Sequence, residues 1–380
     1  MTKKNLKKAI FCILVILLGG VGGVLADKYI FPYLSSSKLF SKYEFLKKTA
    51  ENVTIINKTE QITIKEDDSV SKVSNQVVSA VVNIISYSDN TQSKSLVSIK
   101  NGTGTIVSSD GLIMTYAKAI NLENSAYKVF LDENNSYDAK LIGIDNFSNL
   151  AFLKIEASNL PSISFNDSNN SNPGKKVVAV GNSGRTYGIR YSSSILGNYD
   201  PYFNLSGKTL SSSEKLEGVY TTDFTSSANL LGGPAVDYAG QVIGIIGSVD
   251  KNGEEFFFEI PSKDIKMVVE RAIKNELDQA PTLGIYYRSL SKIDALTEDG
   301  LRDKGAMIYS ASGQSGLAIL DNSSAQKANL KLNDIIIAIN DQEINAQNNL
   351  SGVIYNFKKG DEIILKVLRD EKELEIKVQL

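Results

Sequence analysis

Any chemistry in this 380-residue chain has to be done without histidine, which occurs at none of its positions. A Ser-His-Asp relay is therefore excluded, since no imidazole is present to take and return the proton of an attacking hydroxyl. The single cysteine, Cys12, lies in an apolar run, so there is no disulfide framework and no thiolate metal cluster. A zinc site would need carboxylates alone, and the sequence calls for no metal and no cofactor. The string Leu230-Leu231-Gly232-Gly233-Pro234, taken by itself, is a turn between strands.

The elements around these residues divide the chain. Its length leaves room for two or three domains, each able to bury a core. With 42% hydrophobic and 22% charged residues the composition is that of folded domains, and a net charge of −2 gives no field to recruit nucleic acid. From residue 70 to about 249, short β-branched runs such as Ala80-Val81-Val82-Asn83-Ile84-Ile85 and Gln241-Val242-Ile243-Gly244-Ile245-Ile246 alternate with Gly, Asn, Asp and Ser. That pattern predicts an all-β barrel or sandwich. Residues 166–174 read as a loop between two halves, and residues 265–277 as a helix leading to a third unit. The third unit, residues 281–380, pairs strands with a short helix near 349–357 and ends in strands near 362–368 and 373–380.

At the amino terminus, Lys3, Lys4, Lys7 and Lys8 precede an uncharged stretch, residues 9–26. As a helix it would reach about 27 Å, close to a hydrocarbon core of roughly 30 Å. The lysines place the start in the cytoplasm and the bulk of the chain outside. The competing reading is a cleaved signal peptide ending at Val24-Leu25-Ala26. Gly19 and Gly23 form a weak helix-pairing signal. Residues 27–69 read as a stalk with some helix near 39–50.

The middle of the chain resembles the HtrA-type, trypsin-like serine proteases. The Gly232-Gly233-Pro234 string and the strand after it are similar to the family's nucleophile region, with Leu231 in the nucleophile's place. Gly102-Thr103-Gly104-Thr105-Ile106-Val107 and Gly111-Leu112-Ile113-Met114-Thr115 look like its first barrel, with Lys118 where the histidine falls. Residues 143–155 resemble the segment of the catalytic aspartate, with Asn149 in its place. Leucine has no nucleophilic atom, asparagine no charge, and lysine acts as a base only where burial lowers its pKa. A displaced Ser-Lys site would have to use Lys118 with Ser226 or Ser227. The backbone amides of Asn229 and Leu231 match the oxyanion-hole donors. Phe257 matches a small substrate-facing residue, and either fills the specificity pocket or packs in the barrel.

Residues 281–380 resemble the PDZ domain that follows the protease in this family, through Gly305-Ala306-Met307-Ile308 and residues 324–341 among others. The resemblance implies strand addition of a peptide, its terminal carboxylate captured by the amides of Thr282-Leu283-Gly284-Ile285 beside Tyr286. Leu350, Val353 and Ile354 line the side-chain pocket in this reading, or pack in the core. The adjacent Tyr286 and Tyr287 would narrow the groove. Relatives form trimers, so a homo-oligomer is implied by resemblance only.

The expected architecture is mainly β: a cytoplasmic start (1–8), a transmembrane helix (9–26), a stalk (27–69), a trypsin-like double β-barrel (70–264), a linker helix (265–280) and a PDZ domain (281–380). The expected function is a membrane-anchored, extracytoplasmic pseudoprotease that binds peptides or protein C-termini. The alternatives are an active Ser-Lys endopeptidase and a chaperone-like holdase.

Overall fold

Strands close into barrels here because each apolar run is short and is followed by a residue that turns. The computed structural model describes residues 3–30, 33, 73, 77–88, 99–166, 173–182, 188–206, 210–222, 224, 227–251, 253–298 and 301–380. These fall into two units, residues 1–71 and 72–380. In the first, helix α1 (Lys3–Leu25) runs into a π-helical turn at Ala26–Ile30. Four lysines occupy its first two turns. Among the described residues no helix is long and apolar enough to cross a membrane, so the expected span over 9–26 gains no support from the structure. The helix expected near 39–50 lies outside the described residues.

In the second unit, β1 (Val81–Ser88), β2 (Ile99–Ile106), β3 (Leu112–Tyr116), β4 (Ser125–Phe130), β5 (Ser136–Asp145) and β6 (Leu150–Ile155) form a closed barrel in the order β1-β2-β3-β6-β5-β4. A second closed barrel has the order β10-β13-β12-β11-β7-β8. Its strands are β7 (Lys176–Asn182), β8 (Ile189–Asn204), β10 (Glu217–Thr222), β11 (Pro234–Val236), β12 (Val242–Lys251) and β13 (Glu254–Pro261). Closure leaves no sheet edge to manage. One apolar cluster, including Met114, Phe152, Val180, Ile245 and Phe258, runs through both barrels and makes them one body.

Helix α2 (Ser262–Ile273) begins three residues earlier than the sequence predicts, because Pro261 fixes the extended residue before it. It buries Ile265, Val268, Val269 and Ala272 against the barrels. The third sheet runs β19-β18-β16-β15-β14-β9, with β17 beside β16. Its strands are β14 (Tyr286–Ser289), β15 (Ala306–Ile308), β16 (Ile335–Ile339), β17 (Gln342–Glu343), β18 (Glu362–Arg369) and β19 (Lys372–Gln379). Its sixth neighbour, β9 (Ser211–Ser212), comes from the loop between β8 and β10. Four short helices complete it: α3 (Lys292–Thr297), α4 (Ser315–Ala318), α5 (Ser324–Lys327) and α6 (Leu350–Tyr355). Asn349 caps α6, its side chain accepting from the Gly352 amide at 2.8 Å.

Two carboxyls are buried with little compensation. Glu259 on β13 accepts from the Thr222 hydroxyl, while its second oxygen has no partner among the described residues. Burial, opposed by that hydrogen bond, pushes its pKa from 4.5 to about 8. Burial likewise raises Asp264 to about 6 against the pull of Lys263. Between the unfolded and folded pKa values the unfolded chain ionises and the native one does not. Stability from this source is therefore full below about pH 4.5 and is lost as pH rises to about 8. Thermal melts at pH 5 and pH 8 are expected to show the protein weakening over the interval, and Glu259→Gln weakening distinctly less.

Candidate functional site

A 3₁₀ turn, Ala117–Ala119, leaves β3 and carries Lys118 to the seam between the barrels. The Ala117 amide donates to the Asn149 carbonyl at 2.8 Å, which sets Asn149 beside it. Asn149 has φ 59°, a left-handed conformation that asparagine tolerates better than most residues. Both line an open cleft of about 640 Å³ with Tyr116, Asn121, Ser248 and Asp250.

The Lys118 amine turns to the second barrel, 2.9 Å from Asp250 Oδ2 and 2.7 Å from Glu255 Oε1. Partial burial works against its charge, but the two carboxylates outweigh burial and hold its pKa above the ordinary lysine value. It stays protonated, the state in which an amine cannot be a base. Glu255 is held below the usual range, first by its hydrogen bond to Lys118. It is thus a poor base for Ser248, whose hydroxyl donates to it at 2.8 Å. Asn149 is tied too: its Oδ1 accepts from Lys215 Nζ at 3.0 Å, and its Nδ2 lies 3.4 Å from the Tyr116 hydroxyl. Burial lowers the Lys215 pKa against the pull of Asp145, yet its amine donates to Asn149 and, at 2.6 Å, to the Asn146 carbonyl.

Leu231 does not join Lys118 and Asn149 in the cleft. It is 9% exposed and, with Asn229, Lys100, Gly102 and Ala119, lines a separate recess of about 80 Å³. Asn229 is exposed near the end of the turn Ser227–Leu230. Gly232 follows with φ +82°, packed so that any Cβ would strike Thr115 Oγ1 and the Thr103 carbonyl. That close packing is what the Gly-Gly pair supplies. Ser226 lies outside the described residues, and of Ser227 only the backbone is described. Phe257 lines neither cavity. It is partly buried against the core cluster that holds Tyr220, Phe224 and Leu230.

At the third sheet, Leu283 and Ile285 are wholly buried with Leu350, Val353 and Ile354. These five residues belong to one core cluster of the third unit. Thr282 is exposed. Gly284, at φ +81°, packs against Ser323, where a Cβ would collide. Its amide and that of Leu283 donate to Glu214 Oε1 at 2.7 and 3.0 Å. Tyr286 pairs with Ser212 and Tyr287 with Ser211. This edge of β14 is thus occupied by the chain itself.

Behind this contact sits Glu217, 3% exposed, which accepts from Ser211 at 2.8 Å and from Tyr287 and Ser289 at 2.7 Å each. Burial raises its pKa against these three donors. A second junction joins Tyr355 of α6 to the first barrel. Its hydroxyl donates to Asp145 at 2.7 Å, and its ring stacks on Phe147 at 4.1 Å. Arg271 donates to the Tyr355 and Phe357 carbonyls at 2.9 and 2.7 Å.

Sequence reading missed Tyr116, Lys215, Asp250, Glu255 and the segment 211–217. None carries a motif; Ser211-Ser212-Ser213-Glu214 looks like an ordinary polar loop. Partial signals exist in Glu217, a carboxylate opening an apolar strand, and in Tyr116, an aromatic ending one.

Residues 102–245 match the trypsin-like peptidase domain and residues 281–380 the PDZ domain. A probable periplasmic serine endoprotease, DegP-like, of Brucella suis is 30% identical over 295 residues, covering 74% of this chain and 52% of that protein. The serine protease Do-like HtrA of Bacillus subtilis is 28% identical over 264 residues, covering 67% and 57%. The chain thus spans about half the length of these curated relatives. Among solved structures, the HtrA-type protease AlgW with tripeptide aligns at TM-score 0.63 and 22% identity over 81% of this chain and 95% of that one. AlgW with decapeptide aligns at 0.61 and 20% identity, over 81% and 97%. At such identity the likeness shows the fold.

Removing the Tyr287 hydroxyl leaves Glu217 short of one donor and the Ser351 amide short of an acceptor, 3.3 Å away. Tyr287→Phe is expected to lower unfolding stability by about 1–3 kcal/mol in urea titration.

Proposed function

We propose that this chain, which belongs to the HtrA-type family of trypsin-like proteins carrying a PDZ domain, is a pseudoprotease: a peptide- or protein-binding scaffold that cleaves nothing. The observation that carries this reading is the state of Lys118. The chain has no histidine, and Lys118, at the position that the resemblance gives to the base, is paired with two carboxylates. Leu231 offers no nucleophile at the matching position, and Asn149 no charge. The curated relatives are named as serine proteases, so in this reading the fold outlasted the activity.

The relatives' names include a periplasmic protein, and the lysines before residues 9–26 orient the chain outward in the same sense. We therefore read the barrels and the PDZ domain as extracytoplasmic and α1 as their tether. The AlgW structures are named as holding peptides, and we take the PDZ domain at residues 281–380 as the binding element of this chain. No ligand need be cleaved for such a scaffold to act.

A fluorophosphonate probe is expected to leave the purified protein unlabelled, and unfolded casein is expected to survive overnight incubation with it. Labelling that disappears on substitution of Ser226, Ser227 or Ser248 would establish a working serine enzyme instead.

A further inference from the structure

The loop between β8 and β10 leaves and re-enters at one point, where the Leu205 amide donates to the Leu216 carbonyl at 2.9 Å. The Leu216 amide in turn donates to the Phe147 carbonyl at 2.9 Å, fixing this base to the first barrel. What projects from it is Ser211-Ser212-Ser213-Glu214, laid antiparallel along β14. Its contacts to the β14 edge have the form of ligand contacts. Ser211 and Ser212 pair as a strand with Tyr287 and Tyr286. The Ser213 amide donates to the Ile285 carbonyl at 3.0 Å, and Ser213 Oγ accepts from the Ile285 amide at 3.0 Å. Glu214 Oε1 then accepts from two successive amides, Leu283 and Gly284. Two adjacent N–H groups converging on one carboxylate oxygen are what a chain terminus would engage in such a loop.

We propose that segment 211–214 is a ligand carried in cis, with the Glu214 side chain standing in for a terminal carboxylate. The sites it fills then define the external partner: an extended peptide with a free C-terminal carboxylate, small hydroxyl-bearing side chains before it, and no large apolar last residue. The last condition follows because Leu283, Ile285, Leu350, Val353 and Ile354 already fill the space beneath. Glu214 itself is only half-buried, so the tip can leave while the base at Leu205 and Leu216 stays closed. A partner binds in proportion to the fraction of molecules whose tip has left, which lowers its apparent affinity by that fraction. The proposal rests on reading the PDZ module as a peptide receptor.

Two measurements on the full-length protein separate the proposal from that reading. The first is amide hydrogen exchange over residues 282–286 in the wild type and in Glu214→Gln, with residues 362–379 as a reference for intact folding. About tenfold faster exchange at Leu283, Gly284 and Ile285, with the reference unchanged, is expected from the loss of a charge-assisted contact. Equal exchange in the two proteins overturns the proposal. The second is binding of a fluorescent peptide of sequence Thr-Leu-Ser-Ser-Ser-Glu with a free C-terminus. It is expected to bind Glu214→Gln at least about fivefold more tightly than wild type, and the same peptide ending in Gln with a C-terminal amide, which carries no carboxylate, is expected to bind neither. Faster exchange without capture of the peptide upholds the cis ligand and counts against the receptor reading alone. Stronger capture by wild type than by Glu214→Gln overturns the proposal.

Discussion

A carboxylate taken out of water must be met by donors, and Glu217 is where that requirement shapes the molecule. It lies at the start of β10, wholly inside the protein, and no cation among the described residues pairs with it. Three hydroxyls meet it instead, one from its own loop and two from β14. The Ser211 donor is present only when β9 lies along β14, whereas Tyr287 and Ser289 donate from β14 itself. Glu217 thereby ties the loop, the start of β10 and β14 to one another. The Asn349 side chain extends it by donating to the Glu217 carbonyl at 2.6 Å while capping α6.

The same rule governs the seam between the barrels. An ammonium set where a proton acceptor would be needed is neutralised by the nearest acids, Asp250 and Glu255, on the hairpin β12–β13. The outcome is a charge clasp across the two barrels. Such a contact is partly exposed and contributes little to stability. Its consequence is chemical, since it keeps Lys118 protonated at the edge of the cleft. The neighbouring Gly232 and Thr115 keep their close packing without a catalytic group to position.

How much of this was legible in the sequence follows from range. The strands were legible because β-branched runs between turn residues are local signals, and the third unit's final hairpin because its two strands adjoin. The Gly-Gly-Pro string marked Leu231 because the packing constraint on Gly232 leaves no alternative residue. The side-chain pocket expected at the third unit is a different case. Leu350, Val353 and Ile354 have the spacing of a helix face, and periodicity does not tell a groove from a core. Lys118 was found, but its acids lie about 130 positions away, and nothing local announces them. Segment 211–214 was invisible for the same reason. Four polar residues in a loop meet their partners only when a segment 70 and 72 positions downstream folds beside them.

The central claim is that the seam holds a permanently charged lysine where a base would be required. It is tested most directly by titrating that amine. Reductive ¹³C-methylation of the lysines, with Lys118→Arg to assign the resonance, allows its pH titration to be followed by NMR. The account predicts a midpoint above that of the exposed lysines, moving down when Asp250 and Glu255 are replaced by Asn and Gln. A midpoint well below the exposed lysines, in the range where an amine serves as a base at neutral pH, would contradict it.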